Sequence, residues 1–253
     1  MHSVRIIPRL DIKGPNVVKG IHLEGLRVIG NPVKLARKYF EQGADELIAM
    51  DIVASLYQRS PDFDLMRSIA NELFIPLTMG GGIQSLHDIN NFLRAGADKV
   101  AINTYATLNP ALLSEAVHQF GAQCIVLSVE AKRSAPGRWE AYTDGGREHS
   151  GLDAIEWIKR ALAMGVGEIL LTSVDFDGTK KGYDRGLLAA VTAFADVPVI
   201  IHGGAMDAAS LTEAIQEGHA DAVCLASILH YDEWTIGALK EQLMTKKIPI
   251  RHA

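Results

Sequence analysis

The sequence has few aromatic residues, no cluster of basic residues and no long apolar run. Aromatic side chains make up 6% of the 253 residues, and the formal net charge is -5. A nucleic-acid-binding surface needs clustered lysine and arginine, and a membrane span needs about 18 or more consecutive apolar residues. We therefore expect neither nucleic acid nor a membrane among the partners of this chain.

Cysteines and cofactor motifs are also scarce. Cys124 and Cys224 lie inside predicted strands, where buried free thiols in a reducing cytoplasm are the expected state. The N-terminal residues lack the apolar core of a signal peptide, which agrees with a cytoplasmic location. The sequence contains no HExxH, CxxC or Walker motif, so it predicts neither a metal nor a nucleotide cofactor.

The sequence does contain a regular alternation of strands and helices. Short β-branched runs predict eight strands, at residues 4–11, 46–51, 75–79, 99–102, 124–130, 168–173, 197–202 and 222–226. Amphipathic segments, several of them followed by glycine, predict helices that include residues 32–42, 86–94, 152–164 and 208–217. The stretches 133–151 and 177–183 are predicted to be loops. The pattern is typical of an α/β fold, a (β/α)8 barrel forming one domain over residues 1–253.

The chain also resembles itself. "IPLTMGGGI" at 75–83 aligns with "VPVIIHGGA" at 197–205, and "DELIAMD" at 45–51 aligns with "GEILLTS" at 167–173, both at an offset of 122. "LDIK" at 10–13 matches "VEAK" at 129–132. We predict that the barrel consists of two similar halves, with the first and fifth strands facing each other.

Charged residues occupy one face of the first predicted strand. Side chains alternate along a strand, so Arg5, Arg9 and Asp11 share the face opposite the apolar Ile6 and Leu10. Other strands also begin with charged residues, and we predict a charged floor inside the barrel formed by Arg5, Glu46, Lys99 and Glu168. Opposite charges in a ring can satisfy one another, so the floor is either a structural plug or part of the function.

Glycine-rich turns follow the third and seventh strands. Gly81 and Gly82 in one half, and Gly203 and Gly204 in the other, would allow backbone N–H groups to approach an anion. Polar pairs with the same capacity follow the fourth and eighth strands, namely Asn103-Thr104 and Ala226-Ser227. Such glycines are often only turns, but their duplication favours a substrate that is phosphorylated at both ends.

Two carboxylates are predicted to lie between these turns. Asp11 and Glu130 end opposed strands and can divide acid and base roles if their surroundings separate their pKa values. The alternative is that each pairs with a nearby lysine, for which Lys13, Lys19 and Lys132 are candidates. Asp177 and Gly178 add an acid and a flexible backbone at the same mouth, and His202 is either a phosphate donor or a bystander.

Several segments resemble the cyclase subunit family of imidazole glycerol phosphate synthase over essentially the full length. They are "RIIPRLDIKG", "DELIAMDIVAS", "PLTMGGGI", "GADKVAINT", "GEILLTSVDFDGTKKGYD" and "LASILH". The resemblance implies the conversion of phosphoribulosyl-formimino-aminoimidazole carboxamide ribonucleotide, with ammonia, to imidazole glycerol phosphate and aminoimidazole carboxamide ribotide. It further implies a glutaminase partner docked at the N-terminal face of the barrel.

The resemblance also assigns roles to residues. Asp11 matches the first of two catalytic aspartates, and Glu130 stands in place of the second. The floor residues Arg5, Glu46, Lys99 and Glu168 match a gate to the ammonia path. We predict that the substrate and its phosphates are bound by Lys19, Gly81, Gly82, Asn103, Thr104, Thr172, Asp177, Gly178, Gly203, Gly204 and Ser227.

Four positions depart from the family pattern. Glu130 extends its carboxylate by about one bond, and a misplacement of about 1 Å can cost around a hundredfold in rate. Arg9 replaces a small residue below Asp11 and is expected to lower the pKa of that carboxyl. His202 and Gly145 replace a small residue and a serine. The departures raise an alternative, a paralogous barrel that delivers ammonia to a sugar-modifying amidotransferase in surface-polysaccharide biosynthesis.

Overall fold

The computed structural model describes residues 3–251, in which 12 strands form one sheet. The strands are β1 Arg5–Lys13, β2 Asn16–Ile21, β3 Glu24–Gly30, β4 Leu47–Asp51, β5 Leu77–Gly80, β6 Lys99–Ile102, β7 Ile125–Ala135, β8 Arg138–Thr143, β9 Glu148–Asp153, β10 Glu168–Ser173, β11 Val199–His202 and β12 Ala222–Leu225. The helices are α1 Pro32–Glu41, α2 Phe63–Ala70, α3 Leu86–Arg94, α4 Thr104–Leu108, α5 Ala111–Phe120, α6 Ala154–Ala163, α7 Arg185–Thr192, α8 Ala208–Gln216, α9 Ser227–His230 and α10 Ile236–Thr245. A 3-10 turn spans Ala122–Cys124.

Eight of the strands close into a parallel barrel. Their order around it is β1, β4, β5, β6, β7, β10, β11, β12, and the pairing of β12 with β1 closes the ring. Helices lie between successive strands, so the predicted (β/α)8 fold is confirmed. The strands β1 and β7 are first and fifth in this order and therefore lie opposite each other. A single domain over residues 1–253 stays a prediction.

The barrel has two apolar layers that follow from alternation along each strand. Ile7 of β1 belongs to a small inner cluster, whereas Ile6, Leu10 and Ile12 belong to the large outer cluster between sheet and helices. The inner cluster consists of Ile7, Ile48, Met50, Ala101, Val126, Leu170, Ile200, Ala222 and Cys224. The charged face predicted for the first strand thus points into the lumen.

Both halves of the barrel carry the same kind of extension at their first strand. The hairpin β2–β3 continues antiparallel from β1, and the hairpin β8–β9 continues antiparallel from β7. The prediction of a loop at residues 133–151 is therefore wrong. In β8, Trp139 and Ala141 are buried and alternate with the more exposed Arg138 and Glu140. The polar residues around them obscure this strand pattern in the sequence.

Cys124 is a second correction. It was predicted to be buried in a strand, but it is half-buried at the end of the 3-10 turn, where its N–H donates to the carbonyl oxygen of Gly121. Gly121 has a φ of 88°, and this turn delays the start of β7 to Ile125. Cys224 lies in β12 and is buried, and both cysteines are free. Within residues 3–251, no helix combines the length and the apolar character needed to cross a membrane.

Candidate active site

The predicted floor residues meet at the N-terminal end of the barrel. Arg5 Nη1 lies 2.9 Å from Glu46 Oε1 and 2.7 Å from Glu168 Oε1. Lys99 Nζ lies 3.0 Å from Glu46 Oε2 and 2.8 Å from Glu168 Oε2. Each cation therefore bridges the same two carboxylates, and positive and negative charges alternate around a closed ring. We call these four residues the floor ring.

Two cavities open at the opposite end of the barrel, the mouth formed by the C-terminal ends of the strands. Cavity 1 is lined by predicted site residues of the first half together with Glu130, namely Gly81, Gly82, Asn103, Thr104 and Glu130. Cavity 2 is lined by Lys19, Asp177, Gly178, Gly203, Gly204 and Ser227. Each half of the barrel thus contributes one cavity.

The glycines of these turns are required by geometry. Gly81 has a φ of 105°, and a Cβ there would lie 2.1 Å from the carbonyl oxygen of Asp51. Gly204 has a φ of 103°, and a Cβ there would lie 1.9 Å from the carbonyl oxygen of Gly182. A side chain at either position would clash with backbone, so both turns keep the bare backbone that an anion can approach.

Asp11 lies beneath the mouth in a buried ion-pair network. Arg9 Nε donates to Asp11 Oδ1 at 2.7 Å, and Lys19 Nζ lies 3.7 Å from Asp11 Oδ2. Burial alone would raise the pKa of Asp11, but the charges of Arg9 and Lys19 outweigh it and hold that pKa below its ordinary value. Asp11 is therefore an ionised carboxylate, and the predicted effect of Arg9 on its pKa is confirmed.

Lys19 is shared between two acids. Its Nζ donates to Asp177 Oδ1 at 2.7 Å and to Asp177 Oδ2 at 2.8 Å, and both side chains are buried. The loop after β10 also holds the first hairpin, because the N–H of His22 donates to the carbonyl oxygen of Asp177 at 2.8 Å. Lys19 thus joins the extension of the first half to the mouth of the second half.

Glu130 has no ion-pair partner within 4.0 Å among the described residues. Its Oε2 accepts hydrogen bonds from Asn103 Nδ2 at 2.9 Å and from the N–H of Gly146 at 2.8 Å. Burial raises the pKa of Glu130 to about 7, against the opposing effects of the Arg9 charge and the Gly146 hydrogen bond. Glu130 can therefore hold a proton near neutral pH, which a general acid needs.

His202 and Thr172 both contact Arg9, the ion-pair partner of Asp11. Arg9 Nη1 donates to Thr172 Oγ1 at 3.3 Å and lies 3.4 Å from His202 Nδ1. Because a guanidinium only donates, this contact requires Nδ1 of His202 to be an acceptor. Burial, followed by the charges of Arg9 and Lys19, lowers the pKa of His202 well below its ordinary value, so its ring is neutral.

Among the predicted catalytic and substrate-binding residues, the structure places two outside the cavities, and it adds others that the sequence did not single out. Asp11 and Thr172 line neither cavity. Gly146, whose N–H donates to Glu130, lies in the turn between β8 and β9, within the predicted loop at residues 133–151. Asp51 ends β4 and lines cavity 1, and its carboxylate accepts from Arg59 Nη2 at 2.8 Å. Its position at a strand's C-terminal end was the available signal.

Fold and site together define a class of protein: a (β/α)8 barrel with an acid-lined mouth between two glycine-bounded cavities. A family model described as "Histidine biosynthesis protein" matches residues 5–235. The chain is 56% identical over 204 residues to the imidazole glycerol phosphate synthase subunit HisF of Legionella pneumophila, covering 81% of this chain and 96% of that protein. It is 50% identical over 251 residues to the subunit of the same name from Myxococcus xanthus (strain DK1622), covering 99% of each.

The chain belongs to the histidine biosynthesis protein family, and within it to the HisF family, the cyclase subunit of imidazole glycerol phosphate synthase. The resemblance drawn from the sequence motifs is thus confirmed. These similarities support the cyclase function in histidine biosynthesis and do not favour the alternative of a barrel serving a sugar-modifying amidotransferase.

Proposed function

We propose that this chain uses ammonia to convert phosphoribulosyl-formimino-aminoimidazole carboxamide ribonucleotide to imidazole glycerol phosphate and aminoimidazole carboxamide ribotide at the barrel mouth. The observation that best supports the proposal is the presence of two glycine-bounded cavities, one on each side of the mouth. Two such cavities match a substrate with a phosphate at each end. The family membership supports the same reaction.

The two acids take different roles because their surroundings differ. Asp11 is ionised and acts as the general base, and Glu130 holds a proton and acts as the general acid. The backbone turns at Gly81–Gly82 and Gly203–Gly204 bind the two phosphates, and Asn103 orients Glu130 through its hydrogen bond. The substrate lies across the mouth, with its reacting centre between the cavities.

The ammonia comes from a glutaminase partner that binds the N-terminal face of the barrel. The floor ring lies at that end, and its four residues form the gate through which ammonia enters the lumen. Two cations held by two carboxylates leave no unpaired charge to bind an incoming neutral molecule. This arrangement suits a gate that opens when the partner rearranges the ion pairs.

The purified chain tests the proposal directly. With the bis-phosphorylated substrate and an ammonium salt, and without any partner, we expect both products to form, measured by liquid chromatography. Glutamine in place of ammonium should give product only after a glutaminase subunit is added. Absence of product with saturating ammonium would contradict the proposed reaction, whereas absence with glutamine and partner would contradict only the partner assignment.

A further inference from the structure

Arg9 is the residue that occupies the centre of the lumen below the mouth. It is among the largest fully buried side chains, with 1% of its surface exposed. From β1 it reaches Thr172 on β10 and His202 on β11, strands that lie three and two positions away around the barrel. A charge in this position is costly unless it is satisfied, so each of its nitrogen atoms needs to be accounted for.

Two of the three guanidinium nitrogens are accounted for by the protein. Nε donates to Asp11, and Nη1 contacts Thr172 and His202. No hydrogen bond among residues 3–251 uses Nη2. Yet Nη2 is not one of the fully buried unpaired atoms of the described residues, which are Trp157 Nε1 and His230 Nε2.

Nη2 therefore retains a little accessible surface, and of the two mouth cavities Arg9 lines only cavity 1. Arg9 lines this cavity together with Glu130, whereas Asp11 does not line it. Of the ion-paired residues Arg9 and Asp11, Arg9 is thus the one placed to contact a molecule in cavity 1 beside Glu130. A buried cation with an unused donor recognises an oxygen atom that carries or gains negative charge.

We propose that Arg9 is a further catalytic residue, whose Nη2 donates a hydrogen bond to a carbonyl-type oxygen at the middle of the substrate as negative charge develops on it. The proposal rests on the proposed function, which places the middle of the substrate over Arg9. Nε serves a second purpose at the same time, because it holds Asp11 in place.

Arg9→Lys separates the two purposes. A lysine keeps the positive charge beside Asp11, but a single ammonium cannot occupy the Nε and Nη2 positions together. We expect the Kd for substrate, measured by calorimetry, to stay near the wild-type value because the glycine turns proposed to bind the two phosphates are unchanged. We expect kcat with ammonium to fall by about 100-fold, as when one oxyanion donor is removed. The matched control is Arg37→Lys on the exposed face of α1, which should leave kcat unchanged.

The outcomes are distinguishable from failure of the proposed function. A wild-type chain without ammonium-dependent turnover overturns the proposed function and this inference with it. An active wild-type chain and an Arg9→Lys variant with wild-type kcat overturn this inference alone. Should Arg9→Lys not fold, Arg9→Ala is assayed with added guanidinium or methylammonium. Rescue by guanidinium alone supports the proposal, and equal rescue by both, or by neither, overturns it.

Discussion

The lumen of this barrel holds two layers of charged side chains, and they differ in the balance of positive and negative charge. The floor ring contains two cations and two carboxylates, each joined to both opposite charges at 2.7 to 3.0 Å. The mouth cluster, which we define as Arg9, Lys19, Asp11, Asp177 and Glu130, contains two cations and three carboxylates. Arg9 and Lys19 are engaged by Asp11 and Asp177, so Glu130 has no cation of its own.

This imbalance explains why the pKa of Glu130 is raised at the mouth. A buried carboxylate without a partner becomes neutral by taking up a proton, since desolvation penalises its charged form. Glu130 does so at the mouth, with a pKa of about 7. Counting charges thus distinguishes a balanced ring of ion pairs from a cluster that contains a titrating acid. Three variants change the number of charges in these two groups: Asp11→Asn, Glu130→Gln and Glu168→Gln.

Asp11→Asn removes one anion from the mouth cluster and should have the largest effect. The general base is lost, and kcat with ammonium should fall by about 1,000-fold, while substrate binding stays largely intact because the cavities do not change. Two cations then face two carboxylates, so the pKa of Glu130 should fall. Asp64→Asn, on an exposed helix position, is the matched control. Turnover of Asp11→Asn near the wild-type rate would exclude Asp11 as the base.

The barrel and the two halves could be predicted from the sequence because they rest on local repetition. Each strand-helix unit carries its own periodic pattern, and eight units in a row leave few alternative folds. The hairpins β2–β3 and β8–β9 could not be predicted in the same way. They are antiparallel extensions with one exposed face, and the stretch before Trp139 contains Pro136 and Gly137, which favour a turn.

Two rules predict part of the candidate site from the sequence: side chains alternate along a strand, and functional residues lie at the C-terminal ends of barrel strands. These rules place Arg9 and Asp11 on the inward face of β1, as observed. They do not give the partners of Arg9, because Thr172 and His202 are 163 and 193 residues away in sequence. The hydrogen bond from Gly146 to Glu130 also depends on a hairpin that the sequence pattern concealed.

Glu130→Gln removes the titrating group from the mouth cluster. Loss of the general acid should lower kcat by about 100-fold. In the wild-type chain, kcat at constant free ammonia should fall as the pH rises through about 7, because Glu130 loses its proton there. The variant should lose this dependence. A wild-type profile that stays flat from pH 6 to 8, a window of about one unit either side of that pKa, would refute the acid role.

The same variant should be more stable than the wild type at high pH. The folded-state pKa of Glu130 is raised from 4.5 to about 7, so the folded chain binds the proton more tightly than the unfolded chain. Stability from this group is therefore present at low pH and is lost as the pH rises from 4.5 to 7. At pH 8, Glu130→Gln should raise the free energy of unfolding by up to about 3 kcal/mol, measured in urea.

Glu168→Gln creates an imbalance of charge in the floor ring, and of the three variants it should have the smallest effect. Two cations are left with one carboxylate, and the free energy of unfolding should fall by about 2 kcal/mol, less than for a fully buried pair because Arg5 and Lys99 are partly exposed. Combining it with Lys99→Met leaves one cation and one carboxylate, Arg5 and Glu46, which remain 2.9 Å apart. Each single change leaves an unpaired charge, and the second change removes it. If the balance of cations and carboxylates decides the stability of the ring, the double variant is therefore more stable in urea than either single variant. Additive losses would show that the four charges act independently.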